Sequence, residues 1–201
     1  MYLVNEILVF TPGRRQEGLD RLGWIHGLMQ PNPGFVQALV GRYQGDGFRH
    51  TVLRLWESAE AFQKFRETPD GNYGRNRPEG LYTNEPVVPR WESFLEGQGN
   101  AKGNFLLKVQ TEVPEGAWEA FIAQRQELQA AAIASGGVVD DRNFRATDQS
   151  QALAIVRFES RDAYDRFVDS PEFAKVNAKL PEGVRLVRRE CFEIVSEVLP
   201  K

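Results

Sequence analysis

The feature that most constrains this chain is an internal repeat. The segment Trp56–Phe65 recurs as Phe158–Phe167, a displacement of 102 positions from Glu57 to Glu159. The same displacement pairs these residues: Pro12 with Pro114, Gly34 with Gly136, Val36 with Val138 and Asp46 with Asp148. One register kept over this length indicates that the chain is two copies of one unit, fused head to tail.

A short segment rich in glycine and asparagine, residues 97–104, separates the two copies and is predicted to be the linker. The predicted organisation is therefore repeat 1 over residues 1–96, the linker, and repeat 2 over residues 105–201. Each copy is small for an independent layered domain and would gain stability by burying one face against its twin.

Each copy has the periodicity of a βαββαβ unit. In the first copy, alternation predicts a strand over Tyr2–Phe10, and apolar residues at helical spacing follow it until Pro31. Two strands, a helix after Ser58 and a last strand over residues 87–95 complete the unit. The predicted fold class is α+β: two ferredoxin-like repeats forming an intramolecular dimeric α/β barrel, with helices outside antiparallel sheets.

Composition narrows the classes of partner. The chain has 41% hydrophobic and 26% charged residues, a formal net charge of −3, and one cysteine, Cys191. A mildly acidic chain without basic clusters is not expected to bind nucleic acid or a membrane surface. The single cysteine excludes an internal disulfide and favours a cytoplasmic location.

Three groups of residues resemble the antibiotic biosynthesis monooxygenase (ABM) family of dimeric α/β barrels. They are Pro33-Gly34-Phe35-Val36, the turn at Asp46, and Trp56-Glu57-Ser58 followed by Glu60-Ala61-Phe62. The resemblance covers both copies and is closer in the first. It implies that the dimer which single-copy members form is built here within one chain. A homodimer of two such pseudo-dimers is a separate possibility, and a small-molecule substrate is the expected partner.

The resemblance implies a small-molecule monooxygenase that acts on an aromatic or quinol-like substrate without a cofactor. Haem is the alternative cofactor, and a haem-binding or haem-degrading protein, or a barrel that binds a ligand without catalysis, is the alternative function. Haem-degrading members use a tryptophan on the second helix and a histidine after it. This chain has Phe65 at the tryptophan position and no histidine in residues 70–77.

Asn5 is the first candidate catalytic residue, because it shares a strand face with Leu3, Ile7 and Val9. A buried amide without a partner costs roughly 1–3 kcal/mol, so Asn5 is expected to bind either backbone or a ligand. The resemblance to the haem-degrading branch implies that Asn5 holds oxygen or substrate. The displacement of 102 places Leu107 at the matching position, so a site built on Asn5 would exist only in the first copy.

His26 is the second candidate, as a proton carrier, with a hydrogen-bonded boundary histidine as the alternative. Arg125 interrupts the apolar stripe of the corresponding helix in the second copy. Its planar guanidinium could anchor an anionic group of a ligand or pair with a nearby acid.

Aromatic residues in the first copy are the candidate substrate-binding set, because they would suit a flat ligand between helices and sheet. Packing in the core is the alternative. With an arginine from the following loop, the set is Trp24, Trp56, Phe62, Phe65, Tyr73 and Arg75.

Overall fold

The computed structural model describes residues 1–73, 77–85, 87–147 and 150–201. Within these ranges the chain divides into two compact units. The first contains Met1–Trp91 and Ile194–Lys201, and the second contains Glu92–Glu193. The structure confirms the α+β class: each unit has antiparallel strands with helices packed on one face.

The first unit begins with strand β1, whose alternating side chains are buried on both faces. Its elements are β1 (Tyr2–Val9), α1 (Arg15–Met29), β2 (Phe35–Tyr43), β3 (Arg49–Trp56), α2 (Ala59–Glu67) and α3 (Pro69–Tyr73). Strand β3 lies between β1 and β2 and pairs antiparallel with both. Strand β4 (Arg90–Gln98) follows, and the boundary between the units falls within it.

The second unit repeats this order. Its elements are β5 (Phe105–Glu112), a 3₁₀ turn (Glu115–Ala117), α4 (Trp118–Ala134), β6 (Val138–Ala146), β7 (Gln151–Phe158), α5 (Arg161–Val168), α6 (Pro171–Asn177) and β8 (Arg185–Val198). Strand β7 pairs with β5 and β6, and β5 also pairs with β8. The described strand order in this unit is therefore β8-β5-β7-β6.

Serine caps start the equivalent helices of the two units. Ser58 Oγ accepts a hydrogen bond from the backbone N–H of Ala61 at 3.1 Å, and Ser160 Oγ accepts one from Ala163 at 3.2 Å. Each bond satisfies an N–H group that has no partner within its helix. The predicted cap at Ser58 is thus confirmed, and its copy has the same geometry.

The displacement of 102 positions is wrong for the first part of the repeat. Tyr2 pairs with Trp56 and Phe105 pairs with Phe158, so β1 matches β5 at a displacement of 103. After the β2–β3 hairpin the displacement is 102, as Trp56 and Phe158 show. The correct partner of Asn5 is therefore Lys108, not Leu107.

The same correction reassigns Glu6. A displacement of 102 would match Glu6 with Lys108, but its structural counterpart is Val109. Tyr2 and Val4, on the same face of β1 as Glu6, pack against Ile25 and Met29 of α1. Glu6 therefore lies on the helix-covered face of the sheet.

The helix-covered faces of the sheets hold the apolar clusters of the units. In the first unit, Trp56 packs with Phe62 and Phe65 of α2 and with Phe35 of β2. In the second unit, residues at the equivalent places, among them Phe158 and Phe167, form a similar cluster. No helix in the described ranges is long and apolar enough to cross a membrane.

Candidate functional site

A cavity of ≈ 210 Å³ lies in the second unit, lined by residues of the sheet and of the three helices α4, α5 and α6. Its volume far exceeds the roughly 10–15 Å³ that one water molecule requires. Most of its wall is apolar. The aromatic residues in this wall are Phe121, Phe158, Tyr164, Phe167 and Phe173.

Three polar residues form a connected set in the wall of this cavity. Arg125 Nε donates a hydrogen bond to Asn143 Oδ1 at 2.8 Å, and Asn143 Nδ2 donates to Asp141 Oδ1 at 2.7 Å. Arg125 Nη2 lies 3.7 Å from Asp141 Oδ2. Helix α4 supplies Arg125, and alternate residues of β6 supply Asp141 and Asn143, which places both on the cavity side of the sheet.

Burial changes the proton affinity of both charged groups. It raises the pKa of the Asp141 carboxyl above its usual value, against the opposing effects of Arg125 and of the hydrogen bond from Asn143. Burial also lowers the pKa of Arg125, and Asp141 offsets part of this change. Each shift reflects the unfavourable free energy of a charge away from water. A carboxylate with a raised pKa in an apolar cavity is suited to accept a proton.

Gln124 is a fourth polar residue of the lining and is almost fully buried. Its Nε2 donates to the backbone carbonyl of Val176 at 3.3 Å. Its Oε1 has no hydrogen-bond partner among the described residues. An unpaired buried acceptor is unfavourable, so Oε1 would gain from a donor on a bound molecule.

Small residues in the second unit make room for the cavity. Cross-strand pairing shows that Thr111 and Ala152 stand where the first unit has Leu8 and His50. Likewise, the pair Asn143 and Ala154 corresponds to the pair Val40 and Val52. In the first unit, Leu8, Val40 and Val52 pack with Phe10 and Leu22 in one apolar cluster.

The polar set of Arg125, Asp141 and Asn143 has no equivalent in the first unit. Asp141 pairs with Val156 as Ala38 pairs with Arg54, so Ala38 is its counterpart. Arg125 corresponds to Leu22, because each lies three positions before a buried apolar residue, Leu128 or Ile25. The first unit therefore has leucine, alanine and valine in place of Arg125, Asp141 and Asn143.

The first unit has a different polar cluster under its helices. Arg54 Nη1 donates to Glu6 Oε2 at 2.9 Å, and Arg77 bonds to the other carboxylate oxygen. Arg54 Nε donates to His26 Nε2 at 3.3 Å. His26 has no exposed surface, and burial followed by the charge of Arg54 lowers its pKa well below the usual value. His26 is therefore neutral at pH 7.

The structure does not bring Asn5 and His26 together. Asn5 Oδ1 accepts a hydrogen bond from Thr51 Oγ1 at 3.1 Å. Asn5 alternates with Val4 and Glu6 along β1, so its side chain lies on the face away from the helices, whereas His26 contacts the helix-covered face. The sheet separates the two residues, so the structure does not place them at one site.

The aromatic candidates of the first unit are also dispersed. Trp56 stacks on Phe65 with ring centroids 5.2 Å apart and lies 5.8 Å from Phe62. These three rings are buried in a packed cluster, while Trp24 is 47% exposed on α1. The side chain of Tyr73 and all of Arg75 lie outside the described residues, so their predicted role stays a prediction.

Sequence reasoning identified Arg125 but missed Asp141 and Asn143. The signal was present in the run Asp140-Asp141-Arg142-Asn143, inside a segment predicted to be a strand. Charged residues on both faces of a buried strand are unusual unless one face meets a ligand or an ion pair. Among the residues that the structure describes, no group of three His, Cys, Asp or Glu side chains is arranged to hold a metal ion.

Comparison with known proteins identifies the class of the second unit. Residues 105–179 match the family "Antibiotic biosynthesis monooxygenase", so the chain carries an ABM domain there, and the predicted resemblance is confirmed for the second copy. The match falls on the second copy, whereas the residues that carry the sequence resemblance are more complete in the first. The lining residues from Leu107 to Asn177 all lie within the matched segment. No curated protein sequence matches the chain significantly.

Solved structures share the fold over nearly the full chain at low identity. A candidate monooxygenase from Lactobacillus acidophilus has a TM-score of 0.76 at 14% identity, covering 99% of this chain and 97% of its own. An anthrone oxidase-like protein has a TM-score of 0.67 at 14% identity, with 98% and 92% coverage. A haem-degrading enzyme from Listeria monocytogenes has a TM-score of 0.58 at 8% identity, with 96% and 99% coverage.

Proposed function

We propose that this protein is a monooxygenase that oxidises a small hydroxylated aromatic or quinol-like molecule in the cavity of its second unit, without a cofactor. The observation that carries this proposal is the cavity itself. Most of its lining belongs to the ABM domain, its wall is mostly apolar, and three of its buried polar residues are joined by hydrogen bonds. Sites for small organic ligands typically combine these features.

The lining suits a flat ring that bears oxygen. Phe121, Phe158 and Phe167 offer ring faces and edges to an aromatic ligand. The connected set of Arg125, Asp141 and Asn143 offers donors and acceptors to the ligand's oxygen substituent. Together these contacts would fix the orientation in which dissolved oxygen meets the ring.

The proposed reaction balances without an external reductant. A hydroxylated aromatic loses a proton and becomes electron-rich enough to transfer electrons to molecular oxygen. In a polycyclic substrate with a ring CH₂, one oxygen atom enters as a carbonyl at that carbon, and the other leaves as water with its two hydrogens. In a quinol, one oxygen atom enters as a ring hydroxyl, and the other leaves as water with two hydrogens as the ring becomes a hydroxyquinone.

Haem binding, the alternative, has no comparable support in this unit. The cavity lining contains no histidine or cysteine in the described residues, and imidazole and thiolate are common axial ligands of haem. Both histidines of the chain belong to the first unit and are fully buried.

Oxygen uptake measures the proposed activity directly. We expect uptake with some members of a panel of quinols and hydroxylated polycyclic aromatics. The triple variant Arg125→Leu/Asp141→Ala/Asn143→Val, which copies the residues of the first unit, should lose that uptake. It should remain folded, because all three members of a buried polar set are replaced together by apolar residues.

The matched control replaces exposed residues of the same kinds at the end of α5, Arg166 within the helix and Asp169 directly after it. The variant Arg166→Gln/Asp169→Asn should keep the wild-type rate. Absence of uptake across the panel, or equal uptake by the triple variant, would contradict the proposal. A haemin titration in parallel tests the alternative: a sharp Soret band at one haem per chain would favour it.

A further inference from the structure

We propose that Asp141 and Arg125 act as a pair on a hydroxylated aromatic ligand: the Asp141 carboxylate accepts the hydroxyl proton, and the Arg125 guanidinium binds the oxyanion that remains. The inference rests on the proposed function and deepens it. It specifies that the cavity takes acidic phenols or enols and holds them as their anions.

The distances within the polar set leave the pair open to a ligand. Arg125 Nη2 and Asp141 Oδ2 are 3.7 Å apart, which is longer than a direct hydrogen bond. The guanidinium is instead held through Nε, at 2.8 Å from Asn143. In the described part of the chain, the Nη groups of Arg125 therefore make no short bond and can donate to an oxygen in the cavity.

Asn143 orients both members of the pair. Its Oδ1 accepts from Arg125, and its Nδ2 donates to Asp141 Oδ1 at 2.7 Å. That bond fixes the carboxylate plane and leaves Oδ2, the oxygen nearest Arg125, as the proton acceptor. A ligand hydroxyl placed between Asp141 Oδ2 and Arg125 would lie beside the base that accepts its proton. It would also lie beside the cation that stabilises the resulting oxyanion.

The proton transfer keeps the charge of the buried set constant. Before transfer, Arg125 is positive, Asp141 is negative and the ligand is neutral. The O–H bond of the ligand breaks, its electron pair stays on oxygen, and a new O–H bond forms on Asp141. The ligand oxyanion then replaces the carboxylate as the partner of Arg125, so no net charge is created away from water.

The ionisation behaviour of Asp141 agrees with this geometry. Burial raises the pKa of its carboxyl, which brings the proton affinity of the carboxylate closer to that of an acidic phenol. Arg125 then acts where negative charge develops, inside a largely apolar cavity, and such an arrangement stabilises an anion strongly.

Absorbance of 4-nitrophenol tests the inference without turnover, because its phenolate is yellow and its neutral form is not. At a pH below the ionisation of the free phenol, wild-type protein should bind it as the phenolate. We expect a downward shift of about one pH unit or more in its ionisation, equivalent to about tenfold in the ratio of the two forms. Arg125→Gln should abolish the shift, while Arg166→Gln should leave it unchanged.

Calorimetry in buffers with different ionisation enthalpies then locates the proton. Wild-type protein should release almost no proton to the buffer when it binds the neutral phenol, because Asp141 retains it. Asp141→Asn should bind the phenolate and release about one proton per ligand, as the linkage of ionisation to binding requires. Asp169→Asn should behave like the wild type.

The outcomes separate this inference from the proposed function. Binding of 4-nitrophenol in its neutral form, no binding at all, or an unchanged phenolate signal in Arg125→Gln would overturn the inference. Wild-type proton release equal to that of Asp141→Asn would also overturn the role of Asp141, and neither measurement needs the variants to be active. If phenolate binds as expected but no substrate supports oxygen uptake, the inference stands and the monooxygenase proposal fails.

Discussion

His26 illustrates how burial decides the behaviour of a single side chain. Its Nε2 accepts a hydrogen bond from Arg54, so the ring proton is on Nδ1, which has no partner among the described residues. Protonation of Nε2 would break that bond and add a second buried positive charge beside Arg54. The sequence suggested a proton carrier at this position, but the structure holds a neutral acceptor for Arg54.

The lowered pKa of His26 predicts a loss of stability in mild acid. The unfolded chain binds a proton near pH 6.5, while the folded chain does so only at much lower pH. The free energy of unfolding should therefore fall as pH decreases below 6.5, by about 1 kcal/mol from this group between pH 7.5 and 5.5. The variant His26→Gln copies Gln129, the equivalent residue of the second unit. It should lack the contribution of His26 to the pH dependence of the free energy of unfolding.

Urea unfolding of the wild type and of His26→Gln, each at the two pH values, measures how much the free energy of unfolding falls in acid. His50 is retained in both proteins and serves as an internal reference, because burial lowers its pKa as well. An acid sensitivity in His26→Gln as large as that of the wild type would show that His26 is already protonated when folded.

The buried pair of Glu6 and Arg54 gives a second prediction at this scale. Both side chains are less than a tenth exposed, and the second unit has Val109 and Val156 at their positions. Glu6→Val alone leaves Arg54 buried without a carboxylate and should destabilise the fold by about 3 kcal/mol or more.

The double variant Glu6→Val/Arg54→Val removes both charges and should be clearly more stable than Glu6→Val, although it carries one more substitution. Urea unfolding midpoints of the three proteins provide the measurement. A double variant less stable than the single variant would mean that Arg54 is stabilised by contacts other than Glu6.

At the scale of elements, the sequence predicted the helices and strands well and misjudged one register. The matching segments around Glu57 and Glu159 lie after the β2–β3 hairpin, where the displacement of 102 holds. Arg42 pairs with His50, eight positions later, whereas Arg145 pairs with Ala152, seven positions later. One extra residue in the first hairpin therefore shifts every earlier match by one.

A shift of one residue has a large consequence because successive side chains of a strand point to opposite faces. Asn5 was matched with Leu107, which faces the helices, instead of Lys108. The candidate residues predicted from the sequence therefore lie mostly in the first unit. The cavity could not be predicted from the sequence. It forms where the small residues Ala152 and Ala154 of β7 lie beneath α4, and the sequence does not show which distant segments face each other.

At the scale of the whole chain, duplication allows the two units to diverge in function. The first unit fills the space under its helices with Leu8, Leu22, Val40 and Val52. The second unit has smaller or polar residues at the equivalent positions and retains the ABM family match. Packing and binding compete for the same interior positions, so specialising one copy for binding leaves the other free to contribute stability.

This divergence predicts one ligand per chain. Isothermal titration with 4-nitrophenol should give a stoichiometry of one, and the triple variant Arg125→Leu/Asp141→Ala/Asn143→Val should give no measurable binding. Because that variant has the residues of the first unit, it also tests whether those residues are sufficient to close the cavity. A stoichiometry of two, with one site surviving in the triple variant, would mean that the apolar cluster of the first unit opens to admit a ligand.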